Sequence, residues 1–160
     1  MRTKELQIFV YEYNNITELP HEDQKLVLKA REASKKAYSP YSKFNVGASV
    51  LLENGEVILG NNQENAAFPS GLCAERVAMF YANATYPDSP IIAIAISASN
   101  KNGLLDEPAS PCGSCRQSLA ESEMRFKNAI RIILDGKKKV QVLQGIESLL
   151  PFVFKPGLFQ

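Results

Sequence analysis

Helical and strand periodicities alternate along most of this 160-residue chain. That predicts a three-layer α/β/α fold, a mixed, mostly five-stranded sheet covered by helices on both faces. Three observations carry the expectation. Residues 91–98 (IIAIAISA) are nearly all apolar, as a strand covered on both faces is. Two pairs of apolar runs meet at short turns, Glu53-Asn54-Gly55 and Asp135-Gly136, and Asn-Gly between such runs is a strong hairpin signal. Segments of helical period separate these runs.

The elements follow in chain order. Residues 4–13 (KELQIFVYEY) are rich in β-branched and aromatic residues, so they are read as a strand or an ordered arm. Across 21–38 the apolar positions Leu26, Val27, Ala30, Ala33, Ala37 and Tyr38 recur at three-to-four spacing, the pattern of an amphipathic helix, ended by Ser39-Pro40. His21, the only histidine, reads as a helix-start residue rather than a ligand. Runs 45–52 and 56–60 form the first hairpin, and 61–71, punctuated by glycine and proline, is a loop of the kind that binds things. From Cys73 a helix runs to about Ala84. After strand 91–98 and a loop over 100–110, Pro111 opens a helix from about Cys112 to Met124. Strands at 130–134 and 138–143 and a helical turn at 146–150 complete the chain, read as a single domain over residues 1–160 with the first 20 as a possible strand or arm.

Composition bounds the function. With 45% hydrophobic and 22% charged residues, the chain can bury one core. A net charge of +1 gives no electrostatic footprint for nucleic acid. The polar start Met-Arg-Thr-Lys-Glu is no signal peptide, and no run approaches a membrane span. Three cysteines, an odd number, suit metal thiolates in a reducing interior, so a cytoplasmic location is expected.

All three cysteines fall in two short motifs, Cys73-Ala74-Glu75-Arg76 and Pro111-Cys112-Gly113-Ser114-Cys115. Structural zinc sites close the shell with four protein ligands, whereas catalytic ones keep three and leave a position open. Three cysteines fill three positions, which points to a catalytic zinc with Glu75 as its base. On the predicted elements Cys73 and Cys112 begin helices, where unpaired N–H groups and aligned peptide dipoles favour negative charge. Three thiolates on divalent zinc leave the centre net negative, and Arg76 would offset that by hydrogen bonding to a thiolate. Cys-x-x-Cys alone also fits a redox pair, with Cys73 a buried small hydrophobe. The added Cys-x-Glu and the proline before the second motif argue against that.

These motifs resemble the zinc deaminase signature of a ligand-x-Glu followed by Pro-Cys-x-x-Cys. From about Lys35 to Leu158 the chain is similar to the small, three-cysteine, homotetrameric cytidine deaminases. The resemblance rests on Tyr41-Ser42-Lys43-Phe44-Asn45-Val46-Gly47-Ala48, Asn62-Gln63-Glu64-Asn65-Ala66, Ser70-Gly71-Leu72-Cys73-Ala74-Glu75-Arg76, Pro111-Cys112-Gly113-Ser114-Cys115-Arg116-Gln117 and Leu149-Leu150-Pro151-Phe152-Val153-Phe154. It implies zinc-dependent hydrolysis of cytidine and 2'-deoxycytidine to uridine and 2'-deoxyuridine with release of ammonia, in pyrimidine salvage. It also implies Cys73, Cys112 and Cys115 as metal ligands and Glu75 as proton shuttle. Phe44, Asn62, Glu64 and Ala74 would contact the substrate, Asn62 and Glu64 at the ribose 3'-hydroxyl and Phe44 against the base. The expected partner is a small nucleoside, with no nucleic acid and no membrane. The expected assembly is a homotetramer with shared active sites, Phe154 reaching into a neighbour's pocket. Two rival classes are a nucleic-acid-editing deaminase, which needs a basic channel with aromatic stacking, and a non-catalytic zinc-stabilised module, which needs no Glu75.

Overall fold

The computed structural model describes residues 1–155. Leu158, where the stretch carrying the resemblance ends, lies outside the described residues. In chain order the elements are β1 (Tyr11–Tyr13), α1 (His21–Ser34), β2 (Asn45–Leu52), β3 (Val57–Asn61), α2 (Ala74–Thr85), β4 (Ile91–Asn100), β5 (Gly103–Leu104), α3 (Gly113–Phe126), β6 (Arg131–Asp135) and β7 (Val140–Gln144). Short 3-10 turns lie at Ile16–Glu18, Phe68–Ser70 and Ile146–Ser148. Among the described residues no helix is long and apolar enough to cross a membrane.

Among the described residues the sheet has seven strands rather than five, in the order β1-β7-β6-β4-β2-β3 with β5 paired to the end of β4. Of the two beyond five, β1 is the last three residues of the 4–13 segment read as a strand or arm, and β5 has two residues, too short for an alternating pattern to register in sequence. Among the strands of the described residues only β4 and β6 run parallel to each other, and the other strand pairs are antiparallel. Both hairpins form as expected, β2 with β3 around Gly55 at φ 88° and β6 with β7. Helix α1 stops at Ser34, four residues short of Tyr38. The Tyr38 backbone is instead claimed by the loop, its N–H donating to the Asn62 carbonyl at 3.0 Å and its carbonyl accepting from Glu64 N–H at 2.8 Å.

Along β4, Ala93 and Ala95 pack in one cluster with Leu26, Val27 and Ala30 of α1. Ile94 and Ile96 pack in another with Ala78 of α2 and Leu119 of α3. That alternation is what a strand buried on both sides requires. Two glycines let helices approach the sheet closely. A Cβ on Gly47 would lie 2.0 Å from the Ala30 carbonyl oxygen of α1, and one on Gly60 would lie 2.4 Å from the Ala74 carbonyl oxygen of α2.

Two ion pairs fasten α1 to β6 at opposite ends of the helix. Arg131 donates to Asp23 Oδ1 from Nη2 at 2.7 Å and from Nε at 3.1 Å. Arg31 engages fully buried Asp135 through both oxygens, at 2.7 and 2.8 Å, and Ser97 Oγ of β4 adds a bond to Oδ2 at 2.7 Å. A bidentate pair with a third donor is strongly held, and removing one partner strands a buried charge. Arg31→Ala is expected to destabilise the fold by about 3–5 kcal/mol in urea unfolding, and a loss under about 1 kcal/mol would show that the pair is dispensable.

Candidate active site

Helix α2 follows β3, and helix α3 follows the short β4–β5 hairpin. Cys73 is the N-cap of α2 and Cys112 the N-cap of α3, each with extended backbone and neither spending its side chain on capping. Cys115 lies in the first turn of α3. The sulfur atoms of Cys73 and Cys112 are 3.7 Å apart and those of Cys112 and Cys115 3.6 Å, all three lying within 4.8 Å of one another. Tetrahedral zinc with bonds of about 2.3 Å to sulfur separates its sulfurs by about 3.8 Å. The cluster therefore has the spacing zinc needs. Among the described residues no fourth His, Cys, Asp or Glu joins it. None of the three is in a disulfide. Cys115 is buried, Cys73 half-buried and Cys112 exposed, so the centre opens to one side.

The electrostatics around the sulfurs are uneven. The Cys73 thiol is drawn down to about 5, first by a hydrogen bond from Cys115 and further by Arg76, against the opposing cost of burial. The Cys115 thiol, as the donor in that pair, is pushed up. Arg76 Nη2 lies 3.7 Å from the Cys73 sulfur, and this contact raises the guanidinium's affinity for its proton. Its Nε is buried without a hydrogen-bond partner. Glu75 is 5% exposed, and burial raises its carboxyl pKa, helped by negative charge on Cys73 and opposed by its own backbone N–H and by Arg76. A carboxyl held in this way can carry a proton nearer neutral pH than a surface glutamate can.

A cleft of about 890 Å³ opens onto these groups. Phe44, Asn62, Glu64 and Ala74 all line it alongside Cys73, Glu75, Arg76 and Cys112. Phe154 is not among the lining residues of this chain's cleft. In the structure the Asn62 amide binds the backbone, Oδ1 accepting from Val46 N–H at 2.7 Å and Nδ2 donating to the Phe44 carbonyl at 2.9 Å. Glu64 Oε2 accepts the N–H groups of Tyr41 and Ser42 at 2.9 and 3.3 Å. Hydrogen bonds led by that from the Ser42 side chain hold the Glu64 carboxyl below its usual range. Sequence reasoning did not single out Tyr41 and Phe68, which also line the cleft and meet edge to face with centroids 6.1 Å apart. Their signal was position: Tyr41 opens one of the motif segments, and Phe68 lies in the loop between two others.

A three-sulfur centre with a buried carboxyl beside it, at the foot of a cleft, is the arrangement of a metal-dependent hydrolytic site. Sequence comparison agrees, as the model of the family described as cytidine and deoxycytidylate deaminase zinc-binding region matches residues 20–130. A cytidine deaminase of Halalkalibacterium halodurans is 44% identical over 100 residues, covering 61% of this chain and 70% of the relative. One from Mycobacterium tuberculosis is 35% identical over 105 residues, covering 64% and 74%. Among solved structures, the cytidine deaminase of Burkholderia pseudomallei aligns with a TM-score of 0.71 at 35% identity, covering 85% of this chain and all of that one. The chain belongs to the zinc-binding cytidine and deoxycytidylate deaminase family, and its cofactor is zinc.

Close approach at Gly60 sets where α2 begins, because the Ala74 carbonyl it faces lies between Cys73 and Glu75. Gly60→Ala should push that turn outward at a packing cost of about 1–3 kcal/mol and lose most of the bound zinc. Gly113→Ala, where an added Cβ meets nothing within 4 Å, should keep it. Metal analysis of both purified variants decides, and equal zinc in the two would remove Gly60 from the account.

Proposed function

We propose that the chain hydrolyses cytidine and 2'-deoxycytidine to uridine and 2'-deoxyuridine, releasing ammonia. The observation that carries this is the buried Glu75 carboxyl beside three sulfurs with zinc spacing at the foot of a cleft sized for a nucleoside. Cys73, Cys112 and Cys115 would hold the metal. When bound, zinc supplies a Lewis acid that lets water ionise near neutral pH. Glu75 takes a proton from the attacking water and delivers it to ring N3. Once oxygen is bonded to C4, the same carboxylate takes the hydroxyl proton and passes it to the amino group, which departs as ammonia. One carboxyl can serve both transfers because its raised pKa leaves it able to hold and release a proton.

Cleft residues orient the nucleoside. Asn62 and Glu64 bind the ribose 3'-hydroxyl, Asn62 through capacity left beside its two backbone bonds and Glu64 through the lone pairs its two N–H contacts leave open. Phe44 packs against the base, with Ala74 forming the floor beside it. Contacts limited to the 3' side tolerate either sugar and obstruct a continuing polynucleotide chain, and the net charge of +1 also favours free nucleosides. Arg76 balances thiolate charge through its contact with Cys73. Phe154, 55% exposed, covers the base in a neighbouring subunit of a homotetramer. Free cysteines favour a reducing, cytoplasmic setting and a role in pyrimidine salvage. Ammonia release from cytidine, deoxycytidine and a cytosine-containing oligonucleotide tests the whole reading, and activity on the oligonucleotide alone would overturn it.

Glu75→Gln should keep zinc and fold and lose activity by at least ~10²- to 10⁴-fold. Activity within a few-fold of the parent, at full zinc content, would assign the shuttle elsewhere. Replacing Arg76 with Gln should lower turnover or loosen zinc more than it changes affinity for a competing nucleoside. Phe154→Ala should weaken cytidine binding about 10- to 100-fold with zinc retained, since stacking on a base is worth ~1–3 kcal/mol. Co-assembly of Glu75→Gln with Phe154→Ala subunits should restore some complete sites in proportion to the mixing ratio, whereas a fully active monomer would sink the shared site.

A further inference from the structure

Besides Cys115, helix α3 carries three side chains that hold the carboxyl-terminal run of the described chain. The Arg116 guanidinium donates from Nε to the Pro111 carbonyl at 2.8 Å and from Nη1 to the Leu149 carbonyl at 2.7 Å. Gln117 Nε2 donates to the Phe154 carbonyl at 2.9 Å, and Gln117 Oε1 accepts from Phe154 N–H at 3.4 Å. Glu123 Oε1 accepts from Ile130 N–H at 2.7 Å and from Ile146 N–H at 2.9 Å. Residues 146–154 are thus fastened at three points to the helix whose start bears two of the cysteines.

Gln117 makes the most specific of these attachments. Its amide meets both polar groups of a single residue's backbone, as a neighbouring strand would, which fixes the orientation of the Phe154 main chain as well as its position. Phe154 as a residue is nonetheless 55% exposed. An aromatic residue whose backbone is already held is partly preorganised, because that part of the ordering cost is met before a ligand arrives.

We propose that Gln117 is a positioning residue for substrate, holding Phe154 in the orientation from which its ring covers the base. This rests on the reading that Phe154 contacts the nucleoside. Gln117 lies two residues after Cys115, so one helix start serves both the metal centre and the aromatic contact. Arg116 reinforces that link, joining the carbonyl that precedes Cys112 to the start of the carboxyl-terminal run.

The test compares Gln117→Met, which keeps bulk and removes both bonds, with Gln117→Glu, which keeps the acceptor and removes the donor. In the zinc-loaded enzyme, KM for cytidine should rise about fivefold to tenfold in Gln117→Met and less in Gln117→Glu, as expected for losing one or two hydrogen bonds. The Kd for uridine should rise in parallel, with kcat within about twofold of the parent and parental zinc content. If Gln117 acts through Phe154, the double variant Gln117→Met/Phe154→Ala should match Phe154→Ala alone. Additive effects, zinc loss, or a parental KM in both Gln117 variants beside a raised KM in Phe154→Ala would overturn the positioning role alone. A parental KM in Phe154→Ala would overturn the substrate contact and the proposal with it. Should Gln117→Met fail to fold, Gln117→Glu carries the same comparison.

Discussion

Three sulfur atoms within 4.8 Å of one another are a strained arrangement for ionised thiols, and much of the surrounding structure answers that strain. Two unit charges 3.7 Å apart repel by about 4 kcal/mol at an effective dielectric of 20, so adjacent thiolates would separate unless positive charge lay between or beside them. Zinc is the positive charge the family supplies there, and the two helix starts and the Arg76 guanidinium 3.7 Å from the Cys73 sulfur lie beside it. Those helix starts can meet only because α2 and α3 pack in one cluster and because Gly60 admits the first turn of α2 against β3. The chemistry of the centre is therefore written into a backbone contact at a residue with no side chain.

Support for the cleft is layered outward from that centre. The Asn62 and Glu64 side chains bind backbone groups of residues 41 to 46, so the groups proposed to orient the sugar also fix the loop that carries Phe44. Tyr38 is drawn out of the helical pattern to pair with the backbone of Asn62 and Glu64 themselves. Polar groups that look dedicated to a ligand thus already have structural duties. This preorganises the cleft, since little reordering is needed when a nucleoside enters. On the opposite face the Arg31–Asp135 and Asp23–Arg131 pairs hold α1 against β6, and Ser97 extends the first of them to β4.

Much of this was legible in the sequence. The amphipathic pattern beginning at residue 21, the turn at Asn54-Gly55, the apolar run at 91–98 and the proline ahead of Cys112 each have a local physical cause, and local causes survive folding. The three cysteines and Glu75 were legible because their residue types and spacing carry chemistry with few structural alternatives. What failed was non-local. Residues 103–104 become a strand only because β4 offers them an edge, and no periodicity exists in two residues; within the 4–13 segment read as a strand or arm, residues 11–13 are the ones that pair, because β7 offers them an edge. Residues 35–38 continue an apolar pattern that a competing backbone partner overrides.

The sequence by itself determined the donor set, the helix that each cysteine opens and the carboxylate beside the first of them, because these follow from residue identity and short-range spacing. Tertiary structure alone decided that Cys73 and Cys112, 39 residues apart, bring their sulfurs to 3.7 Å. It also decided that Glu75 is buried enough for its pKa to rise, and that Gln117 reaches Phe154. Distances across a sheet and the dielectric around a carboxyl arise from packing between distant segments, and no window of neighbouring residues encodes either.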